Sequence, residues 1–175
     1  DQARSLIDRA VEALGGLDLL VLSAGSFENV GLTQLDDAAW DRTMNLNLAA
    51  PAAMVQRATQ SLRKSRGNIV FITCASVVTP FQGFLPYMVA KAGLHQLMRA
   101  LAIELAPDVR VNAVAPGLVL PADDMEPDQR ERIVRRTPLR RVGTPNDVVN
   151  AVIYLATTSF VTGQQLVIDG GRTLT

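Results

Sequence analysis

Tyr87 and Lys91 stand four residues apart in Pro86-Tyr87-Met88-Val89-Ala90-Lys91-Ala92-Gly93, a run otherwise made of small and apolar side chains. Positions i and i+4 of a helix share a face, so the phenol and the ammonium group point the same way. A cation held near a phenol favours the phenolate and lowers a pKa that starts near ~10. A hydroxyl tuned in that way can give or take a proton at neutral pH. An amphipathic helix with two long polar side chains in water has the same spacing, so the pair needs its context.

Composition narrows that context. The chain has 175 residues, 48% of them hydrophobic and 19% charged, which suits one compact globular domain and argues against disorder. Lys+Arg and Asp+Glu are equal at 17 each, so no basic footprint points to nucleic acid or to an anionic membrane surface. Cys74 is the only cysteine, which leaves no disulfide framework and no cysteine-based metal cluster, and fits a reducing cytoplasm. No apolar run approaches the ~18 residues that span a bilayer. His95, the only histidine, falls on a helix with no partner ligand in view and reads as a surface or interface residue, so no metal site is expected.

The elements that must position the pair follow from hydrophobic periodicity. Ala3, Leu6, Ile7, Ala10, Val11 and Leu14 form a 3/4-spaced stripe that Gly15-Gly16 stops. Leu17 to Gly25 is a short apolar run ending in small residues, a buried strand running into a loop. A long helical stretch covers 37–64, with Pro51 expected to kink it. Residues 68–73 form a second strand, 74–86 a loop, 87–105 a helix, and 109–115 a third strand closed by Pro116-Gly117. Residues 121–132 are a polar excursion entering a short helix. Thr144 caps a helix that Pro145 opens and that runs to about Ala156. Residues 164–171 are a fourth strand ending in a double glycine. Strands that are near-continuous apolar runs, alternating with helices, predict a parallel sheet between helical layers. Ligands of such sheets bind outside the carboxyl ends of the strands. Those ends carry Ser23-Ala24-Gly25, Cys74-Ala75-Ser76, Pro116-Gly117 and Asp169-Gly170-Gly171, small residues suited to close approach by a flat ligand.

With Asn47, the loop 74–86, Tyr87-x-x-x-Lys91 and Val111-Asn112-Ala113-Val114-Ala115-Pro116-Gly117 in this order, the chain resembles the short-chain dehydrogenase/reductase superfamily over essentially its whole length. Within it, the closest likeness is to pteridine reductases and their bacterial relatives. That likeness is carried by Ala24-Gly25-Ser26-Phe27, Asp123-Asp124-Met125, Thr137-Pro138-Leu139, Thr144-Pro145 and Val161-Thr162-Gly163-Gln164. The resemblance implies a doubly wound, Rossmann-like parallel sheet and an NAD(P)-dependent oxidoreductase. Hydride from NADPH or NADH would reach a carbonyl or imine carbon, on a pterin for example, while Tyr87 as general acid protonates the heteroatom.

Roles carry over residue by residue. Lys91 would lower the Tyr87 pKa and hold the nicotinamide ribose. Asn47 would anchor a water that relays protons to Lys91; alternatively it is a helix-interior Asn bonded to backbone. Ser23, Ala24 and Gly25 would lie near the adenosine half of the cofactor, and Pro116 and Gly117 beneath the nicotinamide, with Asn112 structural. Phe27 would stack on a planar substrate ring, or be a core aromatic. Two departures stand out. Leu22-Ser23-Ala24-Gly25 replaces the usual Asn-Asn-Ala-Gly, so hydrogen bonds near the adenosine half differ at Leu22. Thirteen residues before the tyrosine, where the family has a serine or aspartate, stands Cys74; either Cys74 faces the substrate or Ser76 supplies the hydroxyl.

Two other readings remain beside the enzyme: a catalytically silent dinucleotide sensor of the same fold, and a structural subunit that pairs with an active homologue. The resemblance also implies sheet strands and a Gly-rich phosphate loop ahead of residue 18, none of them in this chain. Residues 1–175 are therefore expected to be the C-terminal part of a single domain that is longer by roughly 60–80 residues, with 18–22 left as an apolar sheet edge. Helix 87–105 is apolar around more than one face, so a second face should meet a partner. The resemblance implies a homo-tetramer.

Overall fold

The computed structural model describes residues 2–121 and 125–175; Asp123 and Asp124 of the pteridine-reductase-like motif lie outside them. Four parallel strands form one sheet in the order β1 (Leu19–Leu22), β2 (Asn68–Ile72), β3 (Arg110–Pro116) and β4 (Gln165–Ile168). Leu22 pairs with Phe71, Ile72 with Val114, and Pro116 with Ile168, so all four carboxyl ends open on one edge of the sheet. The central strands are fully covered. Ile69, Val70, Phe71, Val111, Ala113, Val114 and Ala115 are completely inaccessible to solvent, as expected where helices cover both sheet faces.

Helices supply that cover. On one face, Ile7 of α1 (Gln2–Leu14), Val55, Ala58 and Leu62 of α3 (Ala50–Ser65), and Leu94, Met98 and Ala102 of α4 (Leu85–Glu104) pack on Ile69, Phe71, Val111 and Ala113. On the other face, Ala151 and Leu155 of α6 (Pro145–Thr157), which follows the short α5 (Pro127–Arg136), pack on Val70 and Val114. The sheet is therefore doubly wound. Gly15, at φ +73°, ends α1 in the left-handed conformation that only glycine adopts at little cost. Thr144 and Asp147 cap α6 reciprocally: each side chain accepts the other's backbone N–H, at 3.4 and 2.7 Å. β1 is an edge strand, and Leu19 and Val21 on its second face are 37% and 39% exposed.

The long helix at 37–64 differs from the sequence expectation in one informative place. It is divided into α2 (Asp37–Met44), a π-turn at Asn45–Ala49, and α3, with Pro51 in the first turn of α3. Proline has no N–H to give to the carbonyl four residues back. Just ahead of it the Ala50 N–H bonds the Asn45 carbonyl, five residues back, and the turn widens. Such π-turns recur at functional sites, and Asn47 lies at the centre of this one.

Candidate active site

α4 carries the proton-handling pair. Tyr87 lies in its first turn and Lys91 one turn on, on the face toward the sheet; Lys91 is 5% exposed. The Lys91 Nζ donates to the Ile72 carbonyl at 2.9 Å, at the carboxyl end of β2, and lies 5.6 Å from the centroid of the Tyr87 ring. Cys74 is the neighbour whose side chain acts on the Tyr87 hydroxyl and helps to raise its pKa. Cys74 Sγ in turn accepts the Ser76 N–H at 3.4 Å. Ser76 itself is 6% exposed, and its Oγ is buried without a partner. Of the two candidates for the catalytic hydroxyl position, Cys74 is the one that meets the tyrosine.

One expectation reverses. Lys91 was expected to lower the Tyr87 pKa. Burial, first, and the adjacent Cys74 instead raise it far above the ordinary tyrosine value, so the phenol stays protonated through the physiological range. Burial likewise lowers Lys91, with Cys74 opposing. The lysine spends its hydrogen bond on a backbone carbonyl and does not touch the phenolic oxygen.

Asn47 completes the core of the site. It is fully buried, and its Nδ2 donates to the Thr43 carbonyl at 3.1 Å and to the carbonyl and Oγ of Ser26 at 3.2 Å each. Its Oδ1 is buried with no partner. An ideal Cβ on Gly25 would lie 2.6 Å from that oxygen and 3.6 Å from Lys91 Nζ. Asn47 and Lys91 thus face one spot, kept open by the missing side chain at Gly25. The spot adjoins the exposed residues Ser23, Ala24 and Gly25 that leave β1.

At other strand ends the small residues have a different cause. A Cβ on Gly117 would meet Asp169 Cβ at 2.8 Å; those on Gly170 and Gly171 would meet Thr137 and Pro138. There glycine serves the close packing of neighbouring loops. Gly117 N–H also bonds the Ile168 carbonyl, and Pro116 is part-buried at the end of β3. Leu22 is 6% exposed and belongs to the main core, which explains an apolar residue there. Asn112 is structural: its side chain donates to the Val161 carbonyl and accepts the Gln164 N–H. His95 sits part-buried on α4, its pKa lowered by burial and by Arg99. Among the described residues no group of three or more His, Cys, Asp or Glu gathers in metal-binding geometry.

Phe27 is 54% exposed, so it is no core aromatic. Its ring stacks on Phe84, with centroids 4.1 Å apart and planes 10° from parallel, and meets Tyr87 edge-on at 4.8 Å and 82°. Phe81 closes the group at 6.3 Å from Phe27 and 5.5 Å from Phe84. Sequence reasoning missed Phe81 and Phe84, as well as Ser26 and Thr43 behind Asn47. Clustered phenylalanines in a loop beside the tyrosine were the available signal.

Comparison with known proteins agrees with this fold. The family described as Enoyl-(Acyl carrier protein) reductase matches residues 1–173. The chain is 34% identical over 175 residues to Dehydrogenase/reductase SDR family member 4 of Homo sapiens, covering 95% of this chain and 63% of that protein. It is 34% identical over 177 residues to 3-oxoacyl-(acyl-carrier-protein) reductase FabG of Thermotoga maritima, covering 98% and 72%. A short-chain type dehydrogenase/reductase from Mycobacterium ulcerans superposes with a TM-score of 0.91 at 31% identity, covering 98% of this chain and 66% of that one. The chain spans less than two thirds of the human relative's length.

Proposed function

The chain belongs to the short-chain dehydrogenase/reductase superfamily, and from that premise we propose that it is the C-terminal part, residues 1–175, of an NAD(P)H-dependent reductase of carbonyl or imine groups. The observation that carries the reading is the placement of the Tyr87 phenol one helical turn from Lys91, whose Nζ is anchored on the Ile72 carbonyl at the carboxyl edge of the parallel sheet. A neutral phenol is a proton donor, and reduction of a carbonyl or imine requires one at the heteroatom.

The residues fit the cofactor. The unpartnered Asn47 Oδ1, Lys91 Nζ and the opening at Gly25 form a polar cradle suited to a hydroxylated group such as a ribose. Lys91 and Tyr87 would hold the nicotinamide ribose, with Asn47 behind them. Ser23, Ala24 and Gly25 would line the adenosine side, and Pro116 and Gly117 the nicotinamide side. A nicotinamide dinucleotide supplies the hydride when bound. The chain's own part is to orient the substrate, to keep the Tyr87 proton in place, and to deliver it to the substrate oxygen or nitrogen. Cys74 Sγ, a weak donor and acceptor, takes the position beside the tyrosine that a hydroxyl would fill. Phe27, half exposed and edge-on to Tyr87, supports a flat heterocyclic imine such as a pterin as the narrower substrate.

We place the protein in the cytoplasm as a homo-tetramer with a small-molecule substrate and neither nucleic-acid nor membrane partners. Val89 and Ile103, 40% and 80% exposed on α4, support a further helix-packing surface. Among the described residues no helix is long and apolar enough to cross a membrane. NADPH and NADH oxidation against a carbonyl and pterin panel, with cofactor binding measured separately, tests the reading. Turnover supports it. Binding without turnover would make the protein a dinucleotide sensor, and neither would make it a structural subunit.

A further inference from the structure

We infer that Phe81 is a specificity-determining residue and Phe84 a positioning residue, and that together with Phe27 they select substrates carrying a flat apolar ring next to the reacting carbonyl or imine. The inference rests on the reading of Tyr87 as proton donor and adds the class of group that lies beside it.

Four of the chain's eight aromatic residues converge here: Phe27, Phe81, Phe84 and Tyr87. They are not a core. Phe27 and Phe81 are 54% and 40% exposed, and large apolar surface left open beside a polar reactive group marks a place where a ligand sits. The backbone that carries the rings is tied to neighbouring elements. Phe84 covers one face of Phe27 in a near-parallel stack. Its own backbone is clasped to the Phe27 loop by a parallel bridge to Val30, and the Leu85 N–H bonds the Val30 carbonyl at 2.9 Å. Phe81 is tied to α4 through its N–H, which donates to Met88 Sδ at 3.2 Å, one residue beyond Tyr87.

The consequence is chemical selectivity. A wall of mutually packed rings offers faces and edges with a fixed quadrupole, which another ring matches better than a flexible acyl chain does. The chain atoms of an aliphatic substrate would also lose more conformational freedom against it. With the substrate heteroatom on the Tyr87 hydroxyl, its substituent has Phe27 within ring-contact distance, because the Phe27 and Tyr87 centroids are 4.8 Å apart.

The test uses the full-length protein with its nicotinamide cofactor, an aryl methyl ketone, and an aliphatic methyl ketone of similar size. The wild type should prefer the aryl ketone. Phe81→Ala should cut the aryl-over-aliphatic ratio of kcat/KM by roughly three- to tenfold, mainly through KM, the range one aromatic contact supplies. Phe81→Trp should keep the preference, Phe81→Leu should lose it, and Phe84→Ala should lose it without loss of fold by circular dichroism. Calorimetric binding of an aryl carboxamide, which is not reduced, gives a readout free of turnover. Reduction of both ketones with no aryl preference, or equal loss on both in Phe81→Ala, overturns the ring wall and leaves the reductase standing. No reduction, with carboxamide binding weakened by Phe81→Ala, keeps the wall and removes the reductase. Absence of both reduction and carboxamide binding overturns the wall.

Discussion

Adding one methyl group at Gly25 isolates the contact on which the cradle depends. The backbone of Gly25 is outside the positive-φ region, so alanine brings no strain of its own. Its Cβ would, however, lie 2.6 Å from Asn47 Oδ1, about 0.8 Å inside ordinary contact at 3.4 Å. Asn47 is poorly placed to yield, because its amide nitrogen holds three hydrogen bonds to Ser26 and Thr43 in a fully buried position. Each such bond is worth about 0.5–1.5 kcal/mol net. Losing two, on moving the amide, costs on the order of 2 kcal/mol, which for a domain of this size lowers Tm by roughly 4–8 °C. Gly16→Ala is the matched control, since nothing lies within 4 Å of its added Cβ; it should leave Tm unchanged or raise it by roughly 1–4 °C, the equivalent of the ~0.4–1 kcal/mol that stiffening the unfolded chain supplies. Differential scanning calorimetry reads both variants, and calorimetric titration with NADPH and NADH reads the cradle. If Gly25→Ala matches Gly16→Ala in Tm and binds cofactor like the wild type, the site is not built around the Asn47–Gly25–Lys91 contact.

Three further expectations follow from the same geometry. Cys74→Ser should preserve or raise turnover, because a hydroxyl is the stronger hydrogen-bond donor, whereas Ser76→Ala should change kcat little; the reverse pattern, read in steady-state assays, would transfer the role to Ser76. Stability should carry a Tyr87 contribution that is fully present below about pH 10 and is lost as pH rises further, since the folded-state pKa is raised above the unfolded value. Lys91, lowered by burial, has the opposite slope in both proteins, so the difference between urea denaturation of wild type and Tyr87→Phe across pH 9–11 isolates the phenol; equal slopes would remove it from the buried site. Thr144→Ala, which deletes the reciprocal cap of α6, should cost about 1 kcal/mol in the same denaturation assay, and a change below ~0.3 kcal/mol would mean that the cap is idle.

The sheet and its order of elements were legible because periodicity is a local signal. The buried runs at β2 and β3 are mostly apolar on both faces, as strands between two helical layers are, and Gly15 and Thr144 punctuate their helices by conformations their residue types favour. Tyr87, Lys91 and Asn47 were legible as types and spacings. What they do to each other was not, since pKa values depend on solvent exclusion and on which neighbour arrives from a distant segment. Burial and Cys74 thus reversed the expected effect on Tyr87. The widened turn around Asn47 was half legible: Pro51 announced a disturbance, and only the backbone showed its form. The cause of small residues at strand ends was invisible in the sequence, because Gly117 is small for Asp169 and Gly25 is open toward Asn47. The ring cluster joins Phe27 to residues more than fifty positions away, beyond the reach of any local pattern.

The measurement that bears most directly on the central claim is the effect of Tyr87→Phe on reduction of a carbonyl substrate, with cofactor affinity measured on the same preparation. If the Tyr87 phenol is the proton donor, kcat/KM falls by at least ~10²-fold, the low end of general-acid contributions, while the Kd for NADPH or NADH changes by no more than the roughly tenfold that one lost hydrogen bond to the ribose supplies. A variant that still reduces the substrate within ~10-fold of the wild type, with its cofactor bound as before, would contradict the account.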